Sequence, residues 1–150
     1  MSLVLQTVKM HFVEHFNVPV EKLWHLFVNP NGWDPWFTDG MTIETFEGGQ
    51  IHFRWKRITA DEIVEDRGVV IFVETFRVFE FWWYEYEDGF RSRVKMTFIP
   101  HGKNGSWLKV EDSVLVDGEK ELSIALGCAY GWGQMLCLAK AYVERGLILI

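Results

Sequence analysis

Two carboxylates set among apolar neighbours are the residues of this chain best suited to chemistry: Glu80, between Phe79 and Phe81, and Asp112, which follows Leu108 and Val110 at intervals of two. A carboxyl group moved from water into an apolar wall holds its proton above the usual range. It can then serve as a general acid or base, or anchor one polar group of a ligand. Side chains alternate along a strand, so parity decides whether either group reaches such a wall. With Phe79, Phe81 and Trp83 inward, Glu80 is a solvated surface group; with Val78, Trp82 and Tyr84 inward, it enters the interior. Asp112 poses the same question through Leu108 and Val110. Tyr130 is a third polar candidate, beside the glycine-rich run Gly131-Trp132-Gly133.

Other chemistries find less support. His11 and His15 would share a helix face, but on a strand they lie about 13 Å apart. No group of His or Cys has ligand spacing, so neither a metal nor another cofactor is expected. The chain has no Gly-x-Ser-x-Gly element and no glycine-rich phosphate loop, and no catalytic residue is assigned. Cys128 and Cys137 fall in one expected helix, roughly 13.5 Å apart along its axis. A disulfide spans at most about 7 Å between Cα atoms, so both are read as reduced thiols, consistent with a cytoplasmic protein. His52-Phe53-Arg54-Trp55-Lys56-Arg57 interleaves bases and rings, but a strand sends the two sets to opposite faces. The net charge of −6 further disfavours nucleic acid and anionic membranes as partners.

The elements that position these groups follow from periodicity. Residues 3–16 read as a strand, with Val8, Met10, Phe12 and Phe16 on one face and Lys9, His11 and His15 on the other. Pro19 opens a short helix carrying Val20, Leu23, Trp24 and Phe27, and residues 29–32 stop it. Residues 33–37, with Trp33, Trp36 and Phe37, suggest a second short helix or turn. Strands are expected at 41–47, 51–55, 69–73, 78–86, 93–98 and 107–116, with 60–67 a charged connection. Asp117-Gly118 then leads to a long C-terminal helix whose apolar stripe includes Trp132, Met135, Leu136, Ala139 and Val143, with Gly146 placed as its cap. Within it, Gly127, Gly131 and Gly133 suggest close helix–sheet approach, with a bend or space for a ligand as alternatives.

A chain of 150 residues is read as one α+β domain, 1–150, with strands, two short helices, an antiparallel meander and a final helix. Its eight Trp and twelve Phe favour a wide interior. The N-terminus lacks a signal-peptide layout, and no run reaches the ~18 apolar residues of a membrane span. The tail Leu147-Ile148-Leu149-Ile150 fits an extra strand, an interface or a ragged end.

Specific residues add a resemblance. Val18-Pro19 followed by Leu23-Trp24, then Trp36-Phe37, Gly48-Gly49 before an alternating strand, Arg67-Gly68-Val69-Val70, Gly131-Trp132 and Tyr142-Val143-Glu144-Arg145-Gly146 together resemble the SRPBCC or START-like superfamily. Within it the chain is most similar to the activator of heat-shock-protein-90 ATPase homologue family. It departs at Glu74-Thr75-Phe76, where members often carry prolines, and at Glu14, where a basic residue is usual. The resemblance implies a helix-grip fold: a six- to seven-stranded curved antiparallel sheet around the C-terminal helix. It also implies a cavity of the kind that holds lipids, polyketides or hormones elsewhere in the superfamily.

The expectation is therefore binding of a small hydrophobic molecule, lipid-like or aromatic, between sheet and helix. Expected walls are Phe53 and Trp55, Phe81 and Trp83, Met96 and Phe98, Val110, and Trp132, Met135 and Leu136. Trp33, Trp36 and Phe37 would form a lid, and Glu80, Asp112 and Tyr130 are the candidate polar anchors. Two alternatives are a co-chaperone-like interaction module with a closed pocket, whose partner would be a chaperone, another protein or a second copy in a homodimer, and an aromatase- or cyclase-type enzyme using a cavity carboxylate.

Overall fold

The computed structural model describes residues 5–56 and 62–150. Strand β1 (Leu5–Phe16) is followed by helix α1 (Val20–Phe27) and then by β2 (Thr42–Ile43), β3 (Gln50–Lys56), β4 (Ile63–Glu74), β5 (Val78–Tyr86), β6 (Gly89–Pro100) and β7 (Ser106–Asp117). Helix α2 (Gly118–Arg145) closes the chain. The strands form one seven-stranded antiparallel sheet in the order β1-β7-β6-β5-β4-β3-β2. With α2 laid against β1 and β7 and α1 against β6 and β7, this is the helix-grip α+β fold.

Alternation produces the sheet. In β7, Ser106, Leu108, Val110, Asp112, Val114 and Val116 are all buried, while the residues between them are not. That clean period of two buries one face and wets the other. Pro19 precedes α1, whose buried stripe is Val20, Leu23, Trp24, Leu26 and Phe27. Helix α2 buries Ala125, Trp132, Met135, Leu136, Ala139 and Val143. It ends where Gly146 takes the left-handed conformation, φ 67°, and donates to the Ala141 and Tyr142 carbonyls. By length and composition Glu121–Arg145 would suffice to cross a membrane; here it is the gripped helix.

Three expectations need correction. No second helix follows α1: residues 30–37 form successive turns. Pro35 lacks an N–H, Asn29 donates its side-chain amide to the His25 and Gly32 carbonyls, and Asp34 accepts from Thr38 Oγ1 at 2.6 Å and from the Gly40 and Met41 amides. Such local side-chain bonds compete with a helical ladder. Of the strand expected at 41–47, Thr42 and Ile43 form β2 and the Glu44 amide still donates to the Gln50 carbonyl, after which the Phe46 amide turns back to the Glu44 carbonyl. The charged connection expected at 60–67 is strand from Ile63 onward, pairing with β3. Its residues 60 and 61, like 3 and 4 of the first expected strand, lie outside the described residues.

Candidate functional site

A chamber of about 290 Å³ lies between β5 and α2. Its sheet wall is Trp55, Trp83 and Tyr84, and its helix wall runs from Ile124 to Met135, with Phe37 reaching in from the turns after α1. A larger outer groove, about 890 Å³, runs past Asp34, Asp39 and Lys56 and is flanked by Ile148 and Ile150 of the tail. Phe37 and Trp55 border both spaces and so stand between them.

The rings of the sheet wall are ordered. Phe53 stacks on Trp83 at 4.3 Å and 10°, and Trp83 stacks on Tyr84 at 4.6 Å and 3°. Phe53 and Trp83 come from strands separated by β4, and they can meet because β4 carries Gly68 beneath them. A Cβ there would lie 2.6 Å from the Trp82 carbonyl and 3.1 Å from the Phe53 ring. Trp132 meets Trp83 edge-on at 6.1 Å and 86°, and Phe37 meets Trp55 at 80°.

Tyr84 should face solvent by parity, since Trp83 faces in. The backbone redirects it: between the Trp83–Ser92 and Glu85–Phe90 pairs, whose register is unbroken, Tyr84 stands unpaired at φ 57°. A left-handed conformation at a bulky residue is strained and re-aims its side chain. Here the ring enters the chamber, with the Tyr84 hydroxyl beside Cys128. Burial holds the Tyr84 phenol in its protonated form and pushes the Cys128 thiol up.

Two carboxylates hold the chamber's tryptophans from behind. Asp112, 1% exposed, accepts from Trp132 Nε1 at 2.9 Å and from Ser92 Oγ. Burial raises its carboxyl above the ordinary value, and those two hydrogen bonds pull partly back. Asp66, on the inward face of β4, accepts from Trp83 Nε1 at 2.8 Å. Burial raises it too, opposed by hydrogen bonds from the Arg67 amide and Trp83.

Of the sequence-derived candidates, Phe37, Trp55, Trp83, Trp132 and Met135 line the chamber. Trp33, Trp36, Phe53, Phe81, Met96, Phe98, Val110 and Leu136 are buried in the surrounding core instead. Asp112 points inward but sits behind Trp132. Glu80 does not reach the interior: Phe79, Phe81 and Trp83 take the inner face, and Glu80 pairs with Arg93 at 2.7 Å on the outer one. Tyr130 is also misplaced, being 71% exposed on the far side of α2 and accepting from Gln134 Nε2 at 3.2 Å. The helix glycines depart from close packing. A Cβ on Gly127, Gly131 or Gly133 would meet nothing within 4 Å, and the first two line the chamber.

Sequence reasoning missed Tyr84, Cys128 and Asp66. Nothing in the alternation marks the left-handed backbone at Tyr84, and Asp66 was hidden in a charged stretch. The spacing of Gly127 and Gly131, one helical turn apart, was the available signal for the chamber's helix wall. Among the described residues, no group of three or more His, Cys, Asp or Glu could hold a metal ion. Both cysteines are free thiols.

Comparison with known proteins places this geometry. No curated protein matches the chain. Among solved structures, a protein of unknown function from Staphylococcus aureus superposes with a TM-score of 0.79 at 10% identity, covering 95% of this chain and 96% of that one. The Aha1 dimer from Colwellia psychrerythraea gives 0.74 at 14% identity, covering 93% and 98%. CalU16 from Micromonospora echinospora gives 0.69 at 18% identity, covering 97% and 87%. At these identities the likeness is one of fold. Residues 17–144 match the family described as activator of Hsp90 ATPase homolog 1-like protein, and the chain belongs to that family.

Proposed function

We propose that the protein binds a small hydrophobic molecule in the chamber between β5 and α2. The observation that carries this reading is the pair Gly127 and Gly131, which border the chamber where a side chain would meet nothing. Each helical glycine costs about 0.8–1 kcal/mol relative to alanine. Close packing does not account for that cost here, whereas an open chamber does. The remaining wall is apolar except for one phenol and one thiol, the composition of a ligand site with few polar anchors. The reading is of binding and not turnover, because Asp112 lies behind Trp132 with hydrogen bonds to both of its oxygens. The free thiols fit a reducing, cytoplasmic setting.

The test is native mass spectrometry of the purified protein with extraction of any retained molecule, alongside Gly131→Leu, whose side chain would fill the chamber. A retained lipophile that the variant loses, at unchanged or higher melting temperature, supports the reading. Equal retention by both proteins, or a bare mass with no thermal shift across a lipophile panel, contradicts it.

A second reading rests on α2, where Leu126 is 65% and Leu122 41% exposed on the outer surface near Tyr130. Such a patch suits a protein contact, including self-association of the kind named for the Colwellia protein. Light scattering after size exclusion, with Leu126→Glu as control, decides it: a dimer that the variant abolishes supports this reading, and a monomer at high concentration removes it.

A further inference from the structure

We propose that the ligand is an uncharged, planar aromatic molecule bearing one hydrogen-bonding oxygen, lying parallel to the Trp55, Trp83 and Tyr84 rings with that oxygen at the Tyr84 hydroxyl. This deepens the binding reading above and rests on it. Three observations converge.

The first is charge. Among the described residues, no Asp, Glu, Lys, Arg or His lines the inner chamber. The two nearby carboxylates are each turned to an indole N–H, so neither faces a ligand as a free partner. An ionised ligand would lose its hydration there and gain no counter-charge.

The second is ring geometry. Trp55, Trp83 and Tyr84 lie nearly parallel, with Trp55 and Trp83 13° apart and Trp83 and Tyr84 3° apart, while Trp132 and Phe37 stand close to perpendicular to their neighbours in this wall. Phe53 and Tyr84 already stack on Trp83, so a flat ring inserted parallel to the stack gains the offset-stacked arrangement with Tyr84 or Trp55 and presents its edges to the perpendicular rings. An alkyl chain gains area burial alone. At about 290 Å³ the chamber also suits a compact molecule better than an extended acyl chain.

The third is the polar anchor. The Tyr84 hydroxyl reaches the chamber only because its backbone is held at φ 57°. Cys128 beside it is a weak hydrogen-bonding group, so a ligand oxygen can take up the Tyr84 hydroxyl with little loss. The left-handed residue thus puts one directional group into an otherwise apolar space.

Four probes of similar size test the assignment by isothermal titration calorimetry: 2-naphthol, naphthalene, 1-decanol and decanoate. The indole N–H NMR signals of Trp83 and Trp132 report where each binds. The proposal expects 1:1 binding of 2-naphthol, roughly tenfold tighter than 1-decanol or decanoate, with ring-current shifts at both indoles. It expects 2-naphthol to exceed naphthalene about threefold to tenfold, and Tyr84→Phe to bring that ratio near one. Preference for 1-decanol or decanoate, lost in Gly131→Leu, overturns the planar class and leaves the cavity reading intact. A naphthol preference that Tyr84→Phe leaves untouched overturns the anchor. No binding by any probe, or binding that Gly131→Leu does not affect, removes both the proposal and the reading beneath it.

Discussion

The indole N–H of Trp132 donates to Asp112 Oδ2 at 2.9 Å, and the pairing recurs where Trp83 donates to Asp66 Oδ2 at 2.8 Å. Both tryptophans line the chamber, and both carboxylates come from the inward faces of strands. A buried carboxylate is stable only while hydrogen-bonded, and an indole offers a single donor in one direction. Each pair therefore fixes the orientation of a ring that borders the chamber, so the sheet shapes the cavity through its polar groups as much as through its apolar ones.

The Trp132–Asp112 pair should be strongly coupled. Trp132→Phe keeps an aromatic ring but removes the donor, leaving Asp112 with Ser92 alone, and the smaller ring opens a void. The expected loss is about 2–4 kcal/mol in urea denaturation. Asp112→Val, which continues the Val110 and Val114 pattern, should make the further loss of the Trp132 donor cheaper. The double-mutant cycle should give a coupling of about 1–2 kcal/mol. Strict additivity would mean that the hydrogen bond contributes nothing to the fold.

Stability should fall as pH rises across the acid range on account of these carboxylates. Burial raises both Asp112 and Asp66 above the ordinary value of 3.8. A carboxyl whose value is higher folded than unfolded binds its proton more tightly in the native state. Its contribution is full below the unfolded value and disappears as pH climbs through the folded one. Asp112→Asn cannot titrate, so the stability difference, wild type minus variant, should shrink steadily from about pH 4 toward neutrality. A difference that grows with pH would show that hydrogen bonding outweighs burial at this site.

Much of the architecture was legible because the residues obey simple periods. The β7 pattern from Leu108 to Val116, the α1 stripe and the Gly146 terminus all follow from local rules. The chamber was less legible, for two physical reasons. Whether a ring such as Phe53 or Trp83 lines a cavity or disappears into the core depends on how far α2 stands from the sheet, which no local pattern encodes. Tyr84 enters the chamber by breaking alternation at a left-handed, unpaired position, so parity gives the wrong face by construction. Asp66 was obscured differently: Glu65 and Arg67 on its flanks face solvent and make a strand look like a charged loop.

Gly68→Ala should damage the sheet wall. The added methyl would sit 2.6 Å from the Trp82 backbone carbonyl, which cannot rotate away, and 3.1 Å from the Phe53 ring. Overpacking of this kind costs about 1–3 kcal/mol. The Phe53–Trp83 stack at 4.3 Å would have to open, changing the near-ultraviolet circular dichroism of the coupled rings. An alanine variant with wild-type stability and spectrum would show that β4 and β5 separate easily at this point.

The helix glycines should respond in the opposite way. Gly127→Ala and Gly131→Ala place a methyl where nothing lies within 4 Å, and both positions are helical interior without a positive φ. The substitution removes backbone freedom from the unfolded chain and introduces no clash, so each should stabilise the protein by about 0.5–1 kcal/mol. For a chain of this length that corresponds to roughly 2–4 °C in melting temperature per kcal/mol. The same methyl groups narrow the chamber, so ligand affinity should fall as stability rises, most in the double variant. Thermal denaturation and calorimetric titration on one set of samples check both halves. Destabilisation by either alanine would mean that α2 needs glycine for its own path along the sheet, and the pair could then no longer be read as space kept for a ligand.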